Sequence, residues 1–581
     1  MNMVNVKING VDYSVPAGIT VLEACKYANI DIPTLCYLKD INEIGACRLC
    51  LVEVKGARGM VTACVYPIND GMEIETNTPK IRAARKTNIE LVLSAHEKKC
   101  LSCIRSTNCE LQKLAQEYKC DEDRFSYSTK KEHQDFDTSS VSIVRDNNKC
   151  ILCRRCVGAC EKIQGIGAIG AVNRGYDAKI GCAFEKDLAS TTCINCGQCI
   201  VACPVGALYE KDDTQKILDA IADPTKHVAI CCAPSVRATI GECFGYEPGT
   251  DTEGQMVAAL KKLGFDGVYD MNFTADLTIM EEATEFLGRV KNGGALPLIT
   301  SCSPGWVKYC EHYFPEMTEN LSTCKSPQQM FGAMYKTYFA EKLGLDPANI
   351  VFVSAIPCTA KKFEVGRDGQ DVNGMPGVDI AVTTRELGRM IEQAGIDYKN
   401  LKDEAFDQPI DIGSGAGAIF GATGGVMEAA LRTAAEVIEG KPLEKLEFDD
   451  VRGTDGIKFA AYKLGDIELK VAVASGTANA NKLLKGVQDG TYDVQFIEIM
   501  ACPGGCVNGG GQPTQPAVVR NNVDLKALRA SVLYKADSEK LAVRKSHENP
   551  LVKKVYEEFL GEPNSHKAHE LLHTHYVKRG K

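Results

Sequence analysis

The chemistry-bearing residues of this 581-residue chain are its 27 cysteines, eighteen of which lie before residue 204. They fall in short-spaced groups that suit soft, redox-active metal centres rather than disulfides. The strongest group is Cys150-x2-Cys153-x2-Cys156-x3-Cys160, repeated as Cys193-x2-Cys196-x2-Cys199-x3-Cys203 before Pro204. In such paired runs the first three cysteines of each hold one 4Fe-4S cubane and the fourth crosses to the other. Cys150, Cys153, Cys156 and Cys203 are then one expected set, and Cys193, Cys196, Cys199 and Cys160 the second. His96-x3-Cys100-x2-Cys103-x5-Cys109 offers one imidazole and three thiolates, a donor set open to zinc as readily as to a cluster. If it holds a 4Fe-4S cluster, the neutral imidazole removes one negative charge and alters the potential. Cys36, Cys47, Cys50 and Cys64 match a 2Fe-2S ligand set, with zinc as the alternative around Cys47-x2-Cys50.

Three further pieces lie far apart: Thr300-Ser301-Cys302-Ser303-Pro304-Gly305-Trp306, Ile356-Pro357-Cys358-Thr359-Ala360-Lys361-Lys362-Phe363-Glu364, and Glu498-Ile499-Met500-Ala501-Cys502-Pro503-Gly504-Gly505-Cys506. Together, and with the order of modules before them, they resemble the three active-site signatures of FeFe-hydrogenases, enzymes that interconvert protons, electrons and dihydrogen. The resemblance spans essentially the whole chain. It implies that Cys358, Cys502 and Cys506 hold the 4Fe-4S part of an H-cluster. Cys506 would bridge to a diiron part carrying carbon monoxide, cyanide and a bridging dithiolate. Lys361 and the Pro234-Ser235 pair after Ala233 would meet the anionic cyanides, and Gln328, Ile356 and Met500 would line the pocket. Ile356 stands where a methionine commonly opens the second signature.

The implied proton route runs through Glu282, Glu285, Ser322 and Cys302, with Arg289 near its entrance. Glu282 and Glu285, three apart, share a helix face, as an ordinary solvated charge face also would. Where the family commonly has two adjacent cysteines, this chain has Cys302-Ser303. Read without gaps, Cys302 matches the proton-relay thiol and Ser303 falls at the fourth ligand of the cubane, although an alcohol ionises far less readily than a thiol. Either Cys302 takes the ligand place after a small loop shift, or Ser303 serves in an altered cluster.

These residues need elements to hold them. Residues 4–8 and 11–15 alternate around Asn9-Gly10, a strong hairpin signal. Thr20 caps a predicted helix reaching Tyr27, and a second is predicted over 81–93. From about residue 211, predicted strands at 227–230, 298–300, 350–353 and 494–497 alternate with amphipathic stretches at 384–394 and 425–439. Each signature follows a strand, and a parallel sheet gathers strand-end loops at one edge. The expected class is α+β multidomain: a β-grasp 2Fe-2S ferredoxin domain (1–78), a His/Cys3 4Fe-4S domain (79–125) and a two-cluster 4Fe-4S ferredoxin domain (126–210). A large α/β hydrogenase catalytic domain (211–548) and a C-terminal segment like a separate small subunit (549–581) follow. Cys25, Cys120, Cys182, Cys231, Cys232, Cys243, Cys310 and Cys324 fit no signature and read as packed thiols. The histidines of the tail read as surface or packing residues.

The formal net charge of −9 gives no basic footprint for nucleic acid. No apolar run approaches bilayer length and no signal-peptide pattern is present, so no membrane partner and a cytoplasmic location are expected. One 2Fe-2S and three accessory 4Fe-4S clusters make sense as a relay for single electrons. The resemblance implies protons and dihydrogen as substrates, maturation proteins that supply the diiron part, and ferredoxin as electron partner. A related reading is the hydrogen-activating subunit of an electron-bifurcating complex with a flavin-containing, NAD(P)-linked partner. A reading from another class, a non-catalytic iron-sulfur carrier or hydrogen sensor, has no use for a proton route.

Overall fold

Asn9 and Gly10 both take positive φ, 50° and 82°, the turn geometry that matches the twist of paired strands. They fold Met3–Ile8 onto Val11–Pro16 in a register running from Met3↔Pro16 to Ile8↔Val11. Glu73–Glu75 then joins Met3–Ile8 in parallel, and Leu51–Val54 and Val61–Thr62 complete a five-stranded sheet. Thr20 and Glu23 form a reciprocal capping box at the head of the helix Val21–Tyr27. The computed structural model describes residues 2–121, 123–125, 133–464 and 467–580; the domain junction expected at residue 126 lies outside them.

The second predicted helix runs over Pro79–Ser94, started by the Thr78 side chain and a proline in its first turn. In the two-cluster module, Ile143–Arg145 pairs antiparallel with Leu208–Glu210 and closes both ends together. The internal repeat reaches the backbone: Leu152 and Arg154 have φ of 54° and 63°, and Asn195 and Gly197, at the equivalent places, 58° and 70°. Each run therefore coils through the same two left-handed residues.

The catalytic part departs from the single parallel sheet that the sequence suggests. Gly267–Asp270, His227–Cys232, Ile350–Ile356 and Ile380–Thr383 form one all-parallel sheet in that order. Leu298–Ile299, Phe496–Met500, Ile467–Ser475 and Ile457–Leu464 form another, whose last pair is antiparallel. The second signature thus comes from one sheet, and the first and third from the other. Sheet membership is set by packing over hundreds of residues, and a strand as short as Leu298–Ile299 carries no pattern of its own. The long helix Asn272–Asn292 packs against Pro327–Met334, Gly415–Ile419 and Gly425–Glu439. The C-terminal segment returns to the catalytic part: Lys325 N donates to Leu572 O at 2.7 Å and Thr574 N to Thr323 O at 2.8 Å. Among the described residues no helix is long and apolar enough to cross a membrane.

Candidate functional site

The accessory cysteines assemble as their spacing suggests. A cavity of about 370 Å³ is lined by Cys150, Cys153, Cys156 and Cys203, so the crossed fourth cysteine reaches the first set. Reciprocally, Cys160 is among the charges that act on Cys193 and Cys199. Burial pushes the Cys193 thiol up to about 11, and a bound metal's positive charge is what turns such a thiol into a ligand. In the N-terminal module Cys47 N donates to Cys36 Sγ at 3.5 Å, and Cys36, Cys47 and Cys50 all act on Cys64. His96 is part-buried with Nδ1 unpartnered, and it shares Lys149 as a neighbour with Cys103.

A tight turn is one of the places where the two-cluster module meets the catalytic part, beside Thr477 on Gln164 and Arg385 on Glu210. Thr359 Oγ1 donates to Asn195 O at 2.7 Å and Gln198 Nε2 to Asn508 O at 2.8 Å. A Cβ on Gly197 would lie 2.9 Å from Gly510 Cα, closer than side chains tolerate. Cys196 accordingly lines the same cavity as Cys358, Cys502 and Cys506.

That cavity, about 820 Å³ of space between atoms, is where the three signatures converge. Hydrogen bonds stitch the first signature to the third: Ile499 N donates to Thr300 Oγ1 at 3.3 Å and Ala501 N to Ser303 Oγ at 3.2 Å. Gly511 N donates to Pro357 O at 2.7 Å, tying the second to the chain just beyond the third. Gly504 and Gly505 have φ of 82° and 91°, and a Cβ on Gly505 would press on Thr423 N at 2.7 Å. Only glycine lets the chain pass there and bring Cys502 and Cys506 to one wall.

Ala233, Pro234, Ser235, Cys302, Ser303, Gln328, Ile356, Lys361 and Met500 all line this cavity, as the sequence led us to expect. Two buried polar atoms have no protein partner, Ser235 Oγ and Gln328 Oε1. Lys361 Nζ bonds Glu364 Oε2 at 2.8 Å; burial raises the pKa of the Cys302, Cys358 and Cys506 thiols, and the Lys361 charge offsets part of that rise. Glu364, which also accepts from Ser326 at 2.7 Å and Gln328 at 2.9 Å, has no role assigned from the sequence. Phe420, from the glycine-rich stretch 413–425, and Val426 just after it close the apolar side. The run Gly413-Ser414-Gly415-Ala416-Gly417 lacks a nucleotide-binding pattern; its small residues allow close approach to Asn272.

An iron-sulfur group bearing anionic ligands fits this site. The wall offers thiols for iron, one buried cation, and two orphaned polar groups beside an otherwise apolar lining.

The titratable residues form a connected line. Arg289 Nη2 donates to Glu285 Oε1 at 2.6 Å, and Ser322 Oγ donates to Glu285 Oε2 at 2.9 Å. Both glutamates belong to the helix Asn272–Asn292, but they face protein: Glu282 is 1% exposed, which excludes the solvated-face alternative. Burial, reinforced by the Glu285 charge, pushes the Glu282 carboxyl up to about 8. Neither Glu282 oxygen makes a hydrogen bond of ordinary geometry, although Ser322 and the Ser301 backbone lie close enough to offset part of that rise. Glu282 in turn acts on Cys302. Cys302 thus lies within reach of the Glu282 charge, whereas Ser303 Oγ accepts from Ala501 N.

Beyond this line the tail histidines divide between surface and interior: His566, His569 and His575 are exposed. His573 is buried, and its Nε2 lies 3.1 Å from Glu281 Oε2.

Residues 226–510 match the iron only hydrogenase large subunit, C-terminal domain, and 523–579 match the iron hydrogenase small subunit. Residues 1–79 match a 2Fe-2S iron-sulfur cluster binding domain. The stretch 85–124 matches the NADH-ubiquinone oxidoreductase-G iron-sulfur binding region, and 140–209 the ferredoxin-like domain of NADH-quinone oxidoreductase subunit 3. The chain is 49% identical to the NADP-reducing hydrogenase subunit HndD of Solidesulfovibrio fructosivorans, over 100% of both chains. It is 45% identical to iron hydrogenase 1 of Clostridium pasteurianum, over 99% of this chain and 100% of the relative. A solved structure of the FeFe-hydrogenase HydA1 from Chlamydomonas reinhardtii superposes with a TM-score of 0.57 at 42% identity, covering 64% of this chain and 100% of that one.

Proposed function

The chain belongs to the iron-only hydrogenase family, and we propose that it reduces protons to dihydrogen, reversibly, in the cavity lined by Cys302, Cys358, Cys502 and Cys506. The observation that carries this reading is the line of protonatable groups ending at that cavity. A carrier or sensor needs the cysteines but has no need of Glu282 held protonated between Ser322 and Cys302.

In this reading Cys358, Cys502 and Cys506, which line the cavity, would hold the H-cluster through their thiolates. Ser303 stands at the fourth ligand place, a reading supported by its hydroxyl accepting from Ala501 N beside Cys502 in the chain. When bound, the diiron group would supply an open iron position for the interconversion of two protons and two electrons with dihydrogen. Lys361, Ser235 and Gln328 orient its anionic ligands, and Ile356, Met500 and Phe420 exclude water from it. Protons pass from Glu285, held by Arg289, through the Ser322 hydroxyl to Glu282 and then to Cys302 Sγ. Cys302 serves as a neutral donor: burial raises its pKa well above the usual thiol range, so it gives up a proton only to a base in the cavity and regains it from Glu282. Electrons enter through the 2Fe-2S and His96 modules and reach the cavity by way of Cys196.

We take the domain limits to be those of the sequence reading and the working compartment to be the cytoplasm. Ferredoxin is the proposed electron donor. The relative named as an NADP-reducing hydrogenase subunit favours a second arrangement, with a flavin-containing, NAD(P)-linked partner. The cluster-loaded chain alone, given reduced ferredoxin, should evolve hydrogen. Activity with reduced viologen but none with ferredoxin, joined by co-purification of a flavin protein, would replace the first donor with the second. Inactivity with both would overturn the enzyme reading.

A further inference from the structure

Glu285, Cys324 and His573 come from three distant parts of the chain, and each offers a ligand atom within 4.8 Å of the others. Cys324 is 1% exposed and His573 7%, so this is not a chance grouping on a solvated surface. One carboxylate, one thiol and one imidazole make a donor set suited to zinc. A tetrahedral zinc with bonds of roughly 2.0–2.3 Å needs its donors roughly 3.3–3.8 Å apart, so side-chain shifts of about 1 Å would close the site.

The surroundings favour a cation. Glu281, Glu282 and Glu285 all act on Cys324, and the cation paired with Glu285 is Arg289, on Oε1. Oε2, the other oxygen, lies 3.8 Å from Cys324 Sγ. His573 is already arranged as a metal-binding imidazole is. Its Nε2 meets Glu281 Oε2 at 3.1 Å, a carboxylate backing that fixes ring and tautomer. Its Nδ1 lies 2.7 Å from the Thr323 hydroxyl, a hydrogen bond that a bound metal would displace. His569, exposed, stacks on His573 with ring centroids 4.0 Å apart and gives the site an outward approach.

We propose that Glu285, Cys324 and His573 form a zinc site on the proton line, at which a bound zinc ion slows hydrogen turnover reversibly. Binding replaces the Cys324 S–H bond with an S–Zn bond and releases one proton to solvent; no electrons move. Glu285 Oε2, which accepts from Ser322 Oγ and Thr323 N in the metal-free chain, then turns to the metal and no longer exchanges protons with Ser322. Zinc binding stands by itself, whereas the slowing rests on the proton line proposed above.

The test uses the cluster-loaded full chain with zinc chloride alone, by equilibrium dialysis with metal analysis and by viologen-driven hydrogen evolution. The wild type should retain one zinc per chain more than Cys324→Ala. Half-saturation should weaken at least about tenfold in Cys324→Ser and in His573→Gln, the conservative replacements. Zinc should slow wild-type turnover, a chelator should restore it, and both variants should need correspondingly more zinc. Equal zinc retention by wild type and variants overturns the site. Zinc bound with turnover unchanged overturns its place on the proton line, a result separable from failure of the line itself, which Glu282→Gln decides without zinc.

Discussion

Glu282→Gln separates a proton-relay role from a structural one, because the two predict opposite changes in stability. The carboxyl is buried, and its pKa is raised from the ordinary 4.5 to about 8. For an acid shifted upward, stability is full below pH 4.5 and falls as pH rises toward 8, because the folded chain resists the ionisation that the unfolded chain undergoes freely. At about 1.4 kcal/mol per unit, the rise corresponds to a penalty on the order of 5 kcal/mol once both states are ionised. Glutamine has nearly the same shape and does not titrate. Glu282→Gln should therefore unfold at a higher urea concentration than wild type at pH 8, with the difference shrinking at pH 5. Yet it should lose about a hundredfold to ten-thousandfold in hydrogen evolution, the usual contribution of a positioned acid, or about 3–5 kcal/mol of barrier. Cluster iron per chain should not change. Turnover within threefold of wild type, or a loss matched by destabilisation and missing iron, would refute the reasoning.

Two further outcomes follow from the same geometry. Cys302→Ala, judged by iron analysis against hydrogen evolution, should keep the full iron content and lose at least about a hundredfold in turnover; loss of iron would instead make Cys302 a ligand and displace Ser303 from that role. Gly197→Ala puts a Cβ into Gly510 at a φ of 70°. It should slow reoxidation of the accessory clusters by protons, followed by absorbance after rapid mixing, and unchanged reoxidation would mean that this turn is not the electron junction.

The cluster-binding cysteines were legible because a cluster needs several thiolates within a few ångströms, and short loops supply them from adjacent residues. The repeated left-handed positions at Leu152, Arg154, Asn195 and Gly197 are the backbone counterpart of that spacing. The catalytic cavity was legible only through resemblance, since Cys302, Cys358 and Cys502 reach it from two sheets that no local pattern distinguishes. The buried ion pair of Lys361 with Glu364 follows from i,i+3 helical spacing, yet that spacing is equally common on exposed helices. The contact between Glu281 and His573 spans 292 residues, and tertiary packing alone creates it. The hydrogen bond from Ala501 N to Ser303 Oγ likewise depends on two strands meeting, so no local pattern distinguishes Cys302 from Ser303.

The most direct test of the central claim is infrared spectroscopy on the full chain matured with the diiron group, paired with a hydrogen-evolution assay on the same sample. Bands of iron-bound carbon monoxide and cyanide accompanied by hydrogen evolution are the predicted result. Absence of those bands together with absence of activity would contradict it.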